Sequence, residues 1–373
     1  MRFLPFLILF SGCSFYKSLK SIEFRPEHVK KEASFGFKKI WNRELDPIYS
    51  SGNLAIGYTS PLLSSDYLFL GNAKGTFEVY DLSNGRMMWS IDERRPLGSQ
   101  PSRYEDQVIY GSYTGRLYSR HYLTGQLNYS IDLAVPIETA PLIYKDRIFI
   151  HSRNHSILSL DAKTGKILWS YRRAVPFTTT LHRTGRPIGV GNTVIVGFAD
   201  GYLASFSVEE GVLRWETQIG RGQKFVDVDA TPLYYRDRIW SGSAAGPLNI
   251  INPNNGAIER AIDLQIGHQP VVFKDKIYVG TLLGDVVQID GNGTILKTVN
   301  LNQEGISSMS VWNDHLVAAG YDGRVRLMSV DELKVLEQLH LGTDKSVILG
   351  QMEVEKDFLA MYSSRNRLYV FKN

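Results

Sequence analysis

The sequence predicts an all-β protein: an eight-bladed β-propeller of four-stranded antiparallel blades, closed by an N-terminal strand that completes the last blade. Three observations carry this. A phrase recurs as "YDLSNGRMMWSI" at 80–91, "HYLTGQLNYSI" at 121–131, "LDAKTGKILWSY" at 160–171 and "SVEEGVLRWETQ" at 207–218. Its aromatic position falls on Trp41, Trp89, Tyr129, Trp169, Trp215, Arg260, Lys297 and Glu337, with gaps of 48, 40, 40, 46, 45, 37 and 40. A period near 40 means radial or stacked repeats rather than two ordinary domains. No long stretch keeps a 3.6-residue period, and Gly or a turn cluster interrupts roughly every 8–12 residues.

In chain order, "MRFLPFLILFSGC" has one basic residue, an apolar run from Phe3 to Phe10, then Ser11 and Gly12 before Cys13. That is the layout of a secretory signal over 1–12, too short to span a bilayer as a helix. Small residues ending at the chain's single cysteine resemble a bacterial lipobox, with Phe10 where Leu is usual. The resemblance implies an acylated Cys13 as first mature residue. Ser14 is not the Asp that resembles an inner-membrane retention signal, which points to the outer membrane. Residues 13–34, rich in Lys, Ser and Glu without periodicity, read as the lipidated cysteine and a tether. The propeller covers 35–373.

The segment "FGFKKIWNREL", 35–45, carries its own Trp41 and supplies the fourth strand of blade eight, whose other three end at Asn373. An N-terminal strand that closes the ring leaves no open edge there. Blades start near 59, 99, 139, 187, 230, 269, 307 and 347. The unit 139–172 reads as "APLIYK", "RIFIHS", "SILSLD" and "KILWSY" joined by tight turns. Glycines bracket the second-to-third-strand turn (Gly71 and Gly75, Gly111 and Gly115, Gly197 and Gly201), where they are expected to supply positive φ. Asn366 takes that role in the last unit, and the third unit has neither glycine. The aromatic of each phrase is expected to cap its blade and pack on the neighbour, worth ~2–3 kcal/mol per buried ring. Later repeats put charge there, so those contacts must be made otherwise.

Composition excludes several functions. Basic and acidic residues, 42 and 38, nearly cancel to +4, weak support for nucleic-acid binding. One cysteine permits no disulfide and no vicinal pair. His151 and His155 have a metal-compatible spacing without an evident third ligand. "DVD", Asp227 to Asp229, lacks the glycine and distal Glu of a calcium loop. No G-x-S-x-G or phosphate loop is present. Neither a catalytic residue, a cofactor site nor a metal site is expected.

The surplus length lies between the last strand of one blade and the first of the next. Two such connections, 173–186 and 219–229, flank blade four and mix apolar, basic and acidic groups, as partner recognition requires. The phrase "D-A-x-T-G-x-x-x-W" resembles the PQQ-like repeat over 35–373. Joined to the lipobox, it resembles the BamB family of outer-membrane β-barrel assembly lipoproteins. That family opens its fifth blade with a "DVDTTP"-like segment; here it is "DVDATP", 227–232. Its "L-R-G" segment corresponds to "TLHRTGRP", 180–187, where Leu181 fits, His182 stands in the arginine's place and Arg183 lies beside it. The resemblance implies that Leu181, His182 or Arg183, Asp227 and Asp229 bind a BamA-like barrel subunit. An exposed Asp227–Asp229 pair would be removable with little loss of stability, whereas carboxylates that hold the adjacent basic loop, through Arg183, Arg186 or Lys224, would not. The implied role is a non-enzymatic scaffold on the periplasmic face of the outer membrane, held by its lipid anchor alone and aiding insertion of outer-membrane proteins, with unfolded substrates as further partners. Two other readings stay open: a quinoprotein-type enzyme sharing the fold, and a propeller for another envelope ligand.

Overall fold

Tight turns cut this chain into short strands, and the turns repeat because their chemistry does. In blade three, Leu142–Tyr144 turns into Arg147–Ser152 through Lys145 (φ 49) and Asp146 (φ 57). Two positive φ values in sequence make the hairpin turn whose twist matches the strands. Ser156–Asp161 and Ile167–Arg172 complete the antiparallel blade. The structure is a computed structural model that describes residues 26–27, 36–46, 59–175, 184–222, 224–301, 303–341 and 346–373. Its strands form eight sheets, seven of four strands and one of five, as an eight-bladed β-propeller. None of the described residues is helical.

First strands begin at Leu62, Ser102, Leu142, Ile188, Leu233, Val271, Ile306 and Glu353. Neighbouring first strands approach one another around the axis, while fourth strands such as Met87–Asp92 form the exposed rim. The core lies between blades. Trp41, Leu68, Leu70, Tyr80, Tyr362 and Val370, for example, join blade eight to blade one.

The repeated phrase works across blade boundaries. Trp41 Nε1 donates to Leu82 O (2.8 Å), Trp89 to Tyr122 O (3.0 Å), Trp169 to Val208 O (2.9 Å) and Trp215 to Pro253 O (2.8 Å); the Tyr129 hydroxyl donates to Ala162 O (2.9 Å). Each ring also lies on the next blade's turn glycine. A methyl group on Gly211 would stand 2.5 Å from Trp169, and Gly211 has φ 69. So this glycine answers both a left-handed backbone and a close approach. The charged substitutes keep the hydrogen bond and give up the ring. Arg260 Nη1 donates to Asn292 O (2.8 Å) and Lys297 Nζ to Asp331 O (3.4 Å). At the seam the neighbour offers a donor instead, and Glu337 Oε2 accepts from the Phe37 amide at 2.9 Å.

Closure is as the sequence predicts: Lys39–Glu44 pairs with Arg367–Lys372. Phe37 fixes the approach, with its ring 6.0 Å from Trp312 and 5.6 Å from Phe371. Within the segment read as a tether, Pro26–Glu27 pairs with Leu339 and Gln338 as a fifth strand on blade seven. One expectation is corrected. The paired glycines differ in role. Gly75 has φ 98, but Gly71 is absent from the left-handed region and is small because Leu97 of the next connection presses on it. Asn366 is left-handed as expected (φ 55), and His155 (φ 64) occupies that position in the third blade.

Candidate partner-binding face and central channel

The blade connections and the second-to-third-strand turns share one face. Ile219 N and Gly220 N donate to Gly201 O, Arg221 N to Ala245 O, and Val228 N to Phe198 O. The connection 219–229 is thereby laid over the turns of blades four and five. Its described neighbour touches it: Arg186 N donates to Thr231 Oγ1 at 3.0 Å, and Gly185 abuts Ala230. The sequence-predicted Leu181, His182, Arg183 and Cys13 lie outside the described residues.

Asp227 and Asp229 are brought to this face, but as buried groups, 1% and 7% exposed. Of the two readings of the pair, burial matches the one in which the carboxylates hold the loop, not an exposed pair. Val226, Val228 and Ala230 alternate with them and are buried too, Val228 packing with Ile195, Leu203 and Ile239. The whole strip has sunk between the blades. Buried carboxylates require partners, and both have them. Arg173 is likewise structural. Its Nε and Nη1 meet Asp200 and Glu216, both at 2.5 Å, and its guanidinium covers Tyr202. Those hydrogen bonds and charges raise its pKa against the lowering by burial.

Among the described residues of the connection, Arg221, Gly222, Lys224 and Phe225 are exposed to solvent. Phe225 is 44% exposed and sits at φ 54. A bulky residue is rarely left-handed, and such a conformation persists only where its surroundings hold it. On the same face Leu283, in the second-to-third-strand turn of blade six, is 65% exposed. Leu283 was not named from the sequence, and Phe225 entered only as one of the mixed groups of connection 219–229. Phe225 is adjacent to the "DVDATP" motif, but nothing in the pattern marks its exposure.

Inside this face the channel holds a cavity of about 570 Å³ lined from all eight blades, including Gln100, Arg186, Asp229, His268 and Glu353. Asp227 is not on its wall. Gln100, Arg186 and Gln269 each precede a proline and each reach back to the equivalent proline carbonyl one blade earlier: Pro61 O (3.0 Å), Pro141 O (3.3 Å) and Pro232 O (3.0 Å). The recurring X-Pro at blade starts was a legible signal for this ring. Gln100 Nε2 also donates to Glu353 Oε1 at 2.6 Å. Burial pushes the Glu353 carboxyl up to about 7, against the lowering by Gln100 and Arg186.

His151 and His155 do not form a metal pair. His151 is buried, its Nδ1 lies 3.2 Å from Gly185 O, and burial lowers its pKa to about 4. His155 is a turn residue. Among the described residues no group of three or more His, Cys, Asp or Glu could hold a metal ion.

Eight antiparallel blades, five of their boundaries closed by an aromatic on the next blade's turn glycine, define a PQQ-like-repeat propeller. The family model described as outer membrane protein assembly factor BamB matches residues 73–261, half of the chain. The chain belongs to the BamB family. The outer membrane protein assembly factor BamB of Kangiella koreensis is 23% identical over 205 residues, 52% of each chain. The chain thus spans about half the length of the curated relatives it matches. The crystal structure of BamB from Moraxella catarrhalis superposes with a TM-score of 0.77 at 18% identity, covering 91% of this chain and 100% of that one. The quinohemoprotein alcohol dehydrogenase of Comamonas testosteroni shares the fold, with a TM-score of 0.69 at 11% identity over 90% of this chain and 76% of that one. A likeness this distant speaks to fold alone.

Proposed function

We propose that this chain is a non-enzymatic scaffold of outer-membrane β-barrel assembly. It docks the periplasmic domains of a BamA-like subunit with the loop face of blades four and five. Family membership supports the assembly role. The observation that carries the docking face is Phe225, an exposed, left-handed aromatic on a connection whose other apolar residues are buried. Asp227 and Asp229 brace this connection from within, so their part in binding is to hold Phe225, Arg221 and Lys224 in place. Leu181, with His182 or Arg183, completes the surface from the neighbouring connection. A pull-down from detergent-solubilised envelopes tests the reading, with a BamA-like subunit as the expected main partner. Recovery of an unrelated envelope protein in its place would overturn it.

The scaffold is held at the periplasmic side of the outer membrane by acylated Cys13. Cys13→Ala should move the folded protein from membrane to soluble fractions. An N-terminal peptide of the wild type without lipid mass would remove the anchor from the account.

A further inference from the structure

The channel contains two donors that the described residues leave unanswered. Arg186 spends Nη2 on Pro141 O, but its Nε is closed to solvent and has no hydrogen-bond partner. Two residues earlier, the Thr184 hydroxyl is also buried without a partner, and Thr184 lines the same cavity. Residues i and i+2 of an extended segment face one side, so the two donors belong to one wall. Among the described residues no carboxylate forms an ion pair with Arg186. Glu138 is taken by Arg153 at 3.3 Å, Asp229 has partners of its own, and Glu353 holds the Gln100 amide. A buried guanidinium Nε–H left without an acceptor is costly, and burial pulls the Arg186 pKa down against the raising by the nearby Glu353 charge.

We propose that the central channel binds a small free carboxylic acid, its carboxylate taken by Arg186 and Thr184 and a hydrogen-bond donor of the same molecule turned to Glu353. Hydroxy acids and amino acids have both ends. The cavity, about 570 Å³, lies within the size range of small-molecule sites. Phosphate would answer Arg186 but bring extra negative charge towards Glu353, Asp229 and Glu138, which all share the wall. The proposal does not rest on the assembly role, and either can fail alone.

The test is ligand-observed NMR titration of the full-length protein with glycolate, glycine, acetate and inorganic phosphate. Arg186→Gln and Thr184→Val are measured beside the wild type, with thermal melts of each. Saturable binding of glycolate or glycine is expected, tighter than acetate or phosphate. Arg186→Gln should weaken it about tenfold, as loss of a charged hydrogen bond does, and Thr184→Val by a smaller factor. Should Arg186→Gln fail to fold, Thr184→Val decides. Absence of saturable binding by both glycolate and glycine overturns the proposal and leaves water as the only occupant. Equal affinity of wild type and folded variants overturns it too, and tighter binding of phosphate than of glycolate overturns the carboxylate assignment.

Discussion

Glu353 and His151 are both perturbed by burial, in opposite senses for stability. The Glu353 carboxyl titrates near 7 when folded and near 4.5 when unfolded, so its contribution is full below 4.5 and is lost as pH rises to 7. His151 titrates near 4 when folded and 6.5 when unfolded, so its contribution is full above 6.5 and is lost as pH falls to 4. Between 4.5 and 6.5 the two slopes oppose. Glu353→Gln should therefore raise stability at pH 7.5, by on the order of 1–3 kcal/mol, and expose a decline on acidification that the wild type masks. Melting temperatures from about pH 4.5 to about pH 7.5 check this; parallel curves for the two proteins would contradict it. The buried Asp227 and Asp229 make a second prediction at this scale. Asp227→Ala with Asp229→Ala should cost about 2 kcal/mol or more, because the groups left behind lose buried partners. An unchanged denaturation midpoint would restore the exposed pair. The "DVDATP" motif located these residues correctly but not their burial. Alternation of Asp with Val reads equally as a half-exposed edge or as a strip sunk between two blades. Only the packing of Val228 against its neighbours decides.

At the scale of elements, the blades were legible because their turns have local chemistry: Lys-Asp hairpins, turn glycines and an aromatic at a fixed distance. The partner of that aromatic was not legible, since the glycine it covers stands in the next blade's phrase, about one period away in the chain. Nor was the fifth strand on blade seven, for two residues in a polar segment leave no pattern. This strand alters what truncation should do. Removing residues 1–45 strips the outer strand of blade eight, with Trp41 and Phe37, and exposes two edges. A loss of several kcal/mol is expected, since a single buried aromatic is worth ~3–5 kcal/mol on deletion. Removing residues 1–35 spares Lys39–Glu44 and, among the described residues, unpairs Leu339 and Gln338 of blade seven, so its melting temperature should fall far less. Thermal melts of both truncations check the order, and equal losses would contradict closure by Lys39–Glu44.

For the whole molecule, the ring is a frame that brings the described blade connections to one face, and the proposed partner recognition depends on what two of them present. In the proposed docking, buried Asp227 and Asp229 hold the connection and exposed Phe225 makes the contact. The direct measurement is the affinity of the purified propeller for the periplasmic domains of a BamA-like subunit, by calorimetry, with Phe225→Asn as the variant. Asparagine tolerates the left-handed backbone and removes only the ring. The account predicts saturable binding that Phe225→Asn weakens about tenfold or more, as loss of an aromatic anchor does, with no fall in melting temperature. Undiminished affinity in the folded variant, or no binding by the wild type, would contradict it.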